Sequence, residues 1–110
     1  MSSSATSPGP TFEGVRAVAL ANVYFNGGVV SHTIFLADGA KRTLGIVFPG
    51  SYEFSTSVPE RLEITGGECE VTLPGKAPQK FASGTAFDVP AGVSFQISAT
   101  AVAQYVCSYF

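Results

Sequence analysis

The stretch RLEITGGECEVTLPG, residues 61–75, decides the fold. In an extended chain successive side chains point to opposite faces. Leu62 and Ile64 therefore share one face, and Arg61, Glu63 and Thr65 share the other. Beyond Gly66-Gly67 the pattern resumes, with Cys69, Val71 and Leu73 opposite Glu68, Glu70 and Thr72. A period of two argues for strands and against a helix. The two segments read as a hairpin with one buried face and one wet face, and Pro74-Gly75 ends it.

The same punctuation runs outward in both directions. GVVSHTIFLA (28–37) is β-branched and aromatic and stops at Asp38-Gly39, a strong turn pair. KRTLGIVF (41–48) stops at Pro49-Gly50, and the short alternating SYEF (51–54) follows. TAFDVPAG (85–92), VSFQISA (93–99) and VAQYVCSYF (102–110) complete the set, and the last puts Ala103, Tyr105, Cys107 and Tyr109 on one face. Many short strands with turn signals about 8 to 12 residues apart predict an all-β antiparallel sandwich or barrel. TFEGVRAVALAN (11–22) reads either as a short helix or as an edge strand. Residues 1–10, rich in Ser, Pro and Gly, read as a flexible tail. The expected organisation is an extension over 1–21 and a single domain over 22–110.

Composition bounds the function. Apolar residues make up 45% of the 110 residues and charged residues 13%, with a net charge of −2. Such a chain is too apolar for disorder and too weakly charged to bind nucleic acid. So few charges suggest that some surface is covered by a second copy, so a homodimer is expected. No apolar run approaches the roughly 20 residues that cross a bilayer, and MSSSATSPGP lacks the basic-then-apolar pattern of a secretory signal. No membrane association and a cytoplasmic location are the expectation. Cys69 and Cys107 read most simply as buried thiols, and spacing alone does not settle whether they pair. His32 is the only histidine. That count is too small for a zinc or iron site of imidazole and thiolate ligands. It also leaves a Ser-His-Asp arrangement without a G-x-S-x-G elbow to support it.

One longer pattern is more specific. PGSYEFSTSVPERLEITGGECEVTLPG (49–75) followed by GTAFDVPAGVSF (84–95) resembles the two halves of a cupin, a small jelly-roll β-barrel. Metal-binding cupins carry an HxH pair in the first half and a histidine in the second. Here Phe54 and Thr56 fall roughly at the pair, and Phe95 replaces the third ligand. The ordered set NVYFNGGVVS, TLGIVFPGSYEFST, PERLEITGGECEVTLPG, GTAFDVPAGVSF and terminal YVCSYF closely resembles the pyrimidine/purine nucleoside phosphorylase family over residues 22–110. The resemblance implies a broad-specificity enzyme in which phosphate displaces a purine or pyrimidine base from a nucleoside. The products are free base and ribose 1-phosphate, with no metal and no organic cofactor, and the enzyme is a dimer. The family commonly has a lysine after the YFNG turn, where this chain has Gly28. The alternative reading is a non-catalytic cupin that binds a small sugar or nucleotide-like ligand.

The chemistry of phosphorolysis then selects candidates. Phosphate is itself the nucleophile, so the protein must position it and exclude water. Lys41 and Arg42, beside Thr43, are the first candidates for the anion. As neighbours in a strand, only one of them points inward. Ser55 and Thr56 offer hydroxyls to phosphate or ribose. Glu60, at the acidic position of the cupin motif, is the candidate catalytic carboxylate for an oxocarbenium-like transition state. Tyr24, Phe25, Tyr52, Phe54, Phe95 and Tyr105 are the aromatic candidates for the base, because every base offers a π-face to stack on.

Overall fold

The period-two pattern extends through nearly the whole chain. The computed structural model describes residues 9–110. Eleven strands follow one another there: β1 (Arg16–Ala17), β2 (Asn22–Tyr24), β3 (Val29–Phe35), β4 (Lys41–Val47), β5 (Gly50–Ser55), β6 (Glu60–Gly66), β7 (Glu68–Thr72), β8 (Gln79–Ala82), β9 (Ala86–Val89), β10 (Ser94–Ala99) and β11 (Ala103–Tyr109). They form two antiparallel sheets. The larger runs β1-β3-β4-β11-β6-β9, with β2 also paired to β3, and the smaller runs β5-β10-β7-β8. No helix among the described residues is long and apolar enough to cross a membrane.

The segment at 61–73 keeps its alternation but not its expected pairing. Leu62, Ile64, Cys69 and Val71 are buried, and Arg61, Glu63, Glu68 and Glu70 are exposed. Yet β6 lies beside β11 and β9, whereas β7 lies beside β10 and β8. Gly66-Gly67 thus carries the chain from one sheet to the other instead of closing a hairpin. Long-range partners win because they let both buried faces meet across one interior. Gly67 has φ +69°, and a Cβ there would strike the Val102 carbonyl oxygen. Only glycine fits that crossing without strain.

The ambiguous segment ahead of residue 22 is an edge strand. Arg16 and Ala17 pair with Phe35 and Ile34, the Val18 amide donates to the Thr33 carbonyl at 2.8 Å, and Asn22–Tyr24 pair with Val29–Ser31. β1 and β2 are therefore one interrupted strand along β3. Asn22 pins it by donating from Nδ2 to Ser31 Oγ at 3.2 Å and to Thr33 Oγ1 at 3.1 Å. Residues 1–8 of the expected tail lie outside the described residues.

The inner faces of the two sheets share one core. Val29, Val47, Leu62, Ile64, Val89 and Ala103 come from the larger sheet; Val71, Phe95, Ile97 and Ala99 come from the smaller. Each such residue, fully buried, contributes on the order of 1.5–3 kcal/mol relative to exposure for the larger side chains. Through this core runs a column of rings. Phe81 meets Phe87 at 4.7 Å between centroids, Phe87 meets Phe95 at 6.2 Å, and Phe95 stacks on Phe54 at 5.5 Å. Phe54 then meets Phe25 at 5.5 Å, and Phe25 meets Tyr52 at 5.0 Å. Phe87, on β9, is the joint that ties the column to the larger sheet. Phe87→Ala is expected to cost about 3–5 kcal/mol of unfolding free energy in a denaturant titration. A cost below about 1 kcal/mol would mean the column does not hold the sheets together.

Candidate functional site

Side chains from both sheets leave a cavity of about 330 Å³ between them, within the range of small-molecule sites. Its walls are built by strand alternation. From the larger sheet come Tyr24 of β2, Ser31 of β3, Lys41 of β4, Glu60 and Leu62 of β6, and Tyr105, Cys107 and Tyr109 of β11. From the smaller sheet come Glu53, Phe54 and Ser55 of β5 and Phe95 of β10. Phe25 closes one side from a tight helical turn, Phe25–Gly27. Phe25 and Asn26 both hold left-handed backbone, with φ of +54° and +55°. That conformation is strained for a bulky residue and is typical of sites where geometry is dictated by function.

Eight of the expected residues border this cavity: Lys41, Ser55, Glu60, Tyr24, Phe25, Phe54, Phe95 and Tyr105, with the Ser55 hydroxyl turned to Ser94 Oγ at 3.2 Å. Four do not. Arg42 lies on the opposite face of β4, where its Nη1 donates to the Lys41 carbonyl at 3.0 Å. Thr43 is buried directly behind the wall, its hydroxyl 3.0 Å from the Tyr109 hydroxyl. Thr56 is buried in a turn, donating to the Pro90 carbonyl at 2.6 Å and accepting from the Val93 amide at 3.2 Å. Tyr52 donates towards the Phe48 and Pro49 carbonyls, both at 3.0 Å, and supports Phe25 from behind. Tyr109, Cys107 and Ser31 escaped the sequence reading as site residues. The alternation in YVCSYF was the signal that Cys107 and Tyr109 share a face with Tyr105.

One end of the cavity is polar. The Lys41 ammonium sits over the Tyr109 ring, 4.5 Å from its centroid, a favourable cation–π placement. The Cys107 thiol donates to Glu60 Oε1 at 3.4 Å. Burial raises the Glu60 carboxyl above its ordinary range, opposed by the Cys107 hydrogen bond and by the charge of Lys41. Burial, with the neighbouring Glu60 charge, pushes the Cys107 thiol up to about 12, and burial pushes Cys69 up to about 11. Both are free thiols, buried and protonated at neutral pH, which makes them poor nucleophiles. The Tyr109 phenol is likewise raised, chiefly by burial.

Among the described residues Lys41 is the one cation that lines the cavity. Of the five others, Arg16 lies over the Phe35 ring, Arg61 pairs with Asp88 at 3.0 Å, and Lys80 pairs with Glu68 at 3.4 Å. Arg42 points outward, and Lys76 borders a separate depression. His32 is on the outer face, its Nδ1 3.2 Å from the Val18 carbonyl oxygen. Among the described residues no three His, Cys, Asp or Glu side chains gather closely enough to hold a metal ion. A larger groove of about 670 Å³ lies on the outer face of β3, β4 and β11, but among the described residues His32 is the only acidic or basic side chain that lines it.

Residues 19–109 match the family described as pyrimidine/purine nucleoside phosphorylase. The chain belongs to that family. A member from Hydrogenovibrio crunogenus (strain DSM 25203 / XCL-2), named pyrimidine/purine nucleoside phosphorylase, is 46% identical over 99 residues, 89% of this chain and 95% of its own length. A solved structure of a protein of unknown function from Acinetobacter sp. ADP1 superposes with a TM-score of 0.88 at 39% identity, over 91% of this chain and 98% of that one. The EutQ protein of Clostridium difficile shares the fold, with a TM-score of 0.62 at 15% identity, over 74% of this chain and 61% of that one.

In this member of the pyrimidine/purine nucleoside phosphorylase family, Gly28 backs onto Tyr52. A Cβ at position 28 would lie 2.5 Å from Tyr52 Cε1. The ring therefore fills the space that any side chain at position 28 would enter.

The raised Glu60 carboxyl has a consequence for stability. A carboxyl whose folded pKa exceeds its unfolded value stabilises the fold fully below the unfolded value, and that contribution is lost as pH rises through the folded value. Glu60→Gln fixes the neutral state. The variant should match the parent's Tm below about pH 4, where glutamate is protonated in both states, and exceed it at neutral pH. A Tm difference that is independent of pH would contradict the assigned burial.

Proposed function

We propose that the cavity binds a nucleoside with inorganic phosphate and exchanges base for phosphate, accepting purine and pyrimidine nucleosides alike. The observation that carries this reading is the pairing of one cation and one half-buried carboxylate, Lys41 and Glu60, beside a wall of aromatic rings. Membership of the family supports the class of reaction.

In this reading Lys41 holds the phosphate, because charge-assisted contacts suit an anion; the Ser55 hydroxyl, spent on Ser94 Oγ at 3.2 Å on the outer face of β5, takes no part. A phosphate oxygen attacks the anomeric carbon as the C–N glycosidic bond breaks. The bonding pair leaves with the base, which takes a proton from phosphate or solvent, giving ribose 1-phosphate. Glu60 faces the ribose, where its ionised form accepts from the sugar hydroxyls and offsets the positive charge that develops on the ring. Cys107 steadies Glu60, and Thr43 acts through Tyr109, which lies under Lys41. Tyr24, Phe25, Phe54, Phe95 and Tyr105 receive the base. Arg42, Thr56 and Tyr52 have supporting places in the fold instead. The proposal extends to a cytoplasmic homodimer whose two sheets close as a jelly-roll cupin barrel.

Incubation with inosine and with uridine tests it. Free base is expected from both, and only when phosphate is present. Lys41→Ala should raise the phosphate KM about 10- to 100-fold, the worth of one charge-assisted contact, while Arg42→Ala leaves it near the parent value. Base release without phosphate, or binding of nucleosides with no turnover at all, would contradict the proposal.

A further inference from the structure

We propose that Gly45 is a specificity-determining residue of this cavity, because its bare backbone lets the Tyr105 ring lie flat across the sheet as a platform for the base. The inference rests on the nucleoside-binding reading above and adds to it a residue that makes no side-chain contact of its own.

The geometry begins with strand register. Gly45 of β4 stands opposite Ser31 of β3 on one side and opposite Tyr105 of β11 on the other. Tyr105 in turn stands opposite Ile64 of β6. Across this row every position but Gly45 presents a side chain to the interior, and Ser31, Ile64 and Tyr105 are all buried. A glycine inside a strand weakens it and often marks a place where something must approach the backbone closely. Here the approaching group is visible. A Cβ built on Gly45 would run into the Tyr105 ring carbons and lie 2.5 Å from its hydroxyl oxygen. The ring therefore occupies the space a side chain at position 45 would take, leaning from β11 over β4 towards Ser31.

A ring with one face against the backbone presents its other face away from the sheet. That direction is the cavity, which Tyr105 lines opposite Phe54 and Phe95 of the smaller sheet. Phe54 and Phe95 are themselves stacked, with an interplanar angle of 21°. Two aromatic walls thus face a common space, and its width depends on how closely Tyr105 hugs β4. Burial keeps the phenol neutral, and the Ser31 hydroxyl interacts with it at the end of the lean. A flat π-surface favours stacking without a hydrogen-bond code, which suits a site that takes one-ring and two-ring bases.

Gly45→Ala lifts the Tyr105 ring off β4 and narrows the space between the walls. A two-ring base needs the larger flat contact, so it loses more. The kcat/KM for inosine should fall about 10- to 200-fold, the usual cost of a misplaced methyl group in a fitted pocket, with a clearly smaller loss for uridine. Free hypoxanthine and uracil, measured by calorimetry, should show the same bias without any turnover. The double variant Gly45→Ala with Tyr105→Leu should lose no more than Tyr105→Leu alone, because the methyl acts only through the ring. Equal losses for the two substrates, or additive effects in the double variant, overturn the inference. A melting curve checks that the variants fold. Should Gly45→Ala fail to fold, Tyr105→Leu alone must bias the parent ratio against inosine, and an unchanged ratio overturns the inference. A parent protein that neither binds base nor consumes nucleoside instead defeats the function proposed above, so the two failures are distinguishable.

Discussion

Burial of one alternating face from each of two sheets against the other is the constraint on which everything else in this molecule rests. The chain carries few charges, and among the six cations and eight acids most lie on outer faces or in exposed pairs. Exposed ion pairs of that kind contribute little. Stability must come from the interior, where the column Phe81–Phe87–Phe95–Phe54 spans from one sheet to the other. The crossing at Gly66-Gly67 exists to serve it. It sends the two halves of one alternating segment to different sheets, so that their apolar faces meet instead of lying side by side.

The cavity is the continuation of that column rather than a separate feature. Phe54 and Phe95 belong to both, since they pack in the core and line the opening. At the far wall the interior rows of β4, β6 and β11 change character, from Val47, Ile64 and Ala103 to Lys41, Glu60 and Tyr109. A polar group next to so much apolar surface is poorly hydrated. This strengthens its electrostatic interactions and moves its proton affinity, as the raised Glu60 carboxyl shows. A low-dielectric pocket with one ammonium, one half-buried carboxylate and stacked rings suits a reaction in which an anion must be held and water kept out.

Much of this was legible in the sequence because strand alternation is a local signal. Leu62, Ile64, Cys69 and Val71 declared their face without reference to any other segment, and so did Ala103, Tyr105 and Cys107. Pairing is not local, so the segment at 61–73 looked like a hairpin when its true neighbours lay in β11, β9, β10 and β8. The same limit governed the site. Lys41 and Arg42 are adjacent and chemically alike, and only the direction of β4 decides that Lys41 faces the cavity while Arg42 faces out. The link from Thr43 to Tyr109 joins residues 66 positions apart, beyond the reach of any motif. Gly45 gave no sign at all, because its importance lies in the ring that covers it.

Everything proposed for this cavity depends on where the anion and the base sit relative to Lys41 and the aromatic walls. A crystal structure of the protein with phosphate and a free base bound together tests this most directly. Phosphate oxygens are expected within hydrogen-bond reach of the Lys41 ammonium, about 3 Å, with the base lying flat against Tyr105 on the side facing Phe54. Ligand found in the groove on the outer face of β3, β4 and β11, with the inner cavity unfilled and Lys41 free of phosphate, would contradict it.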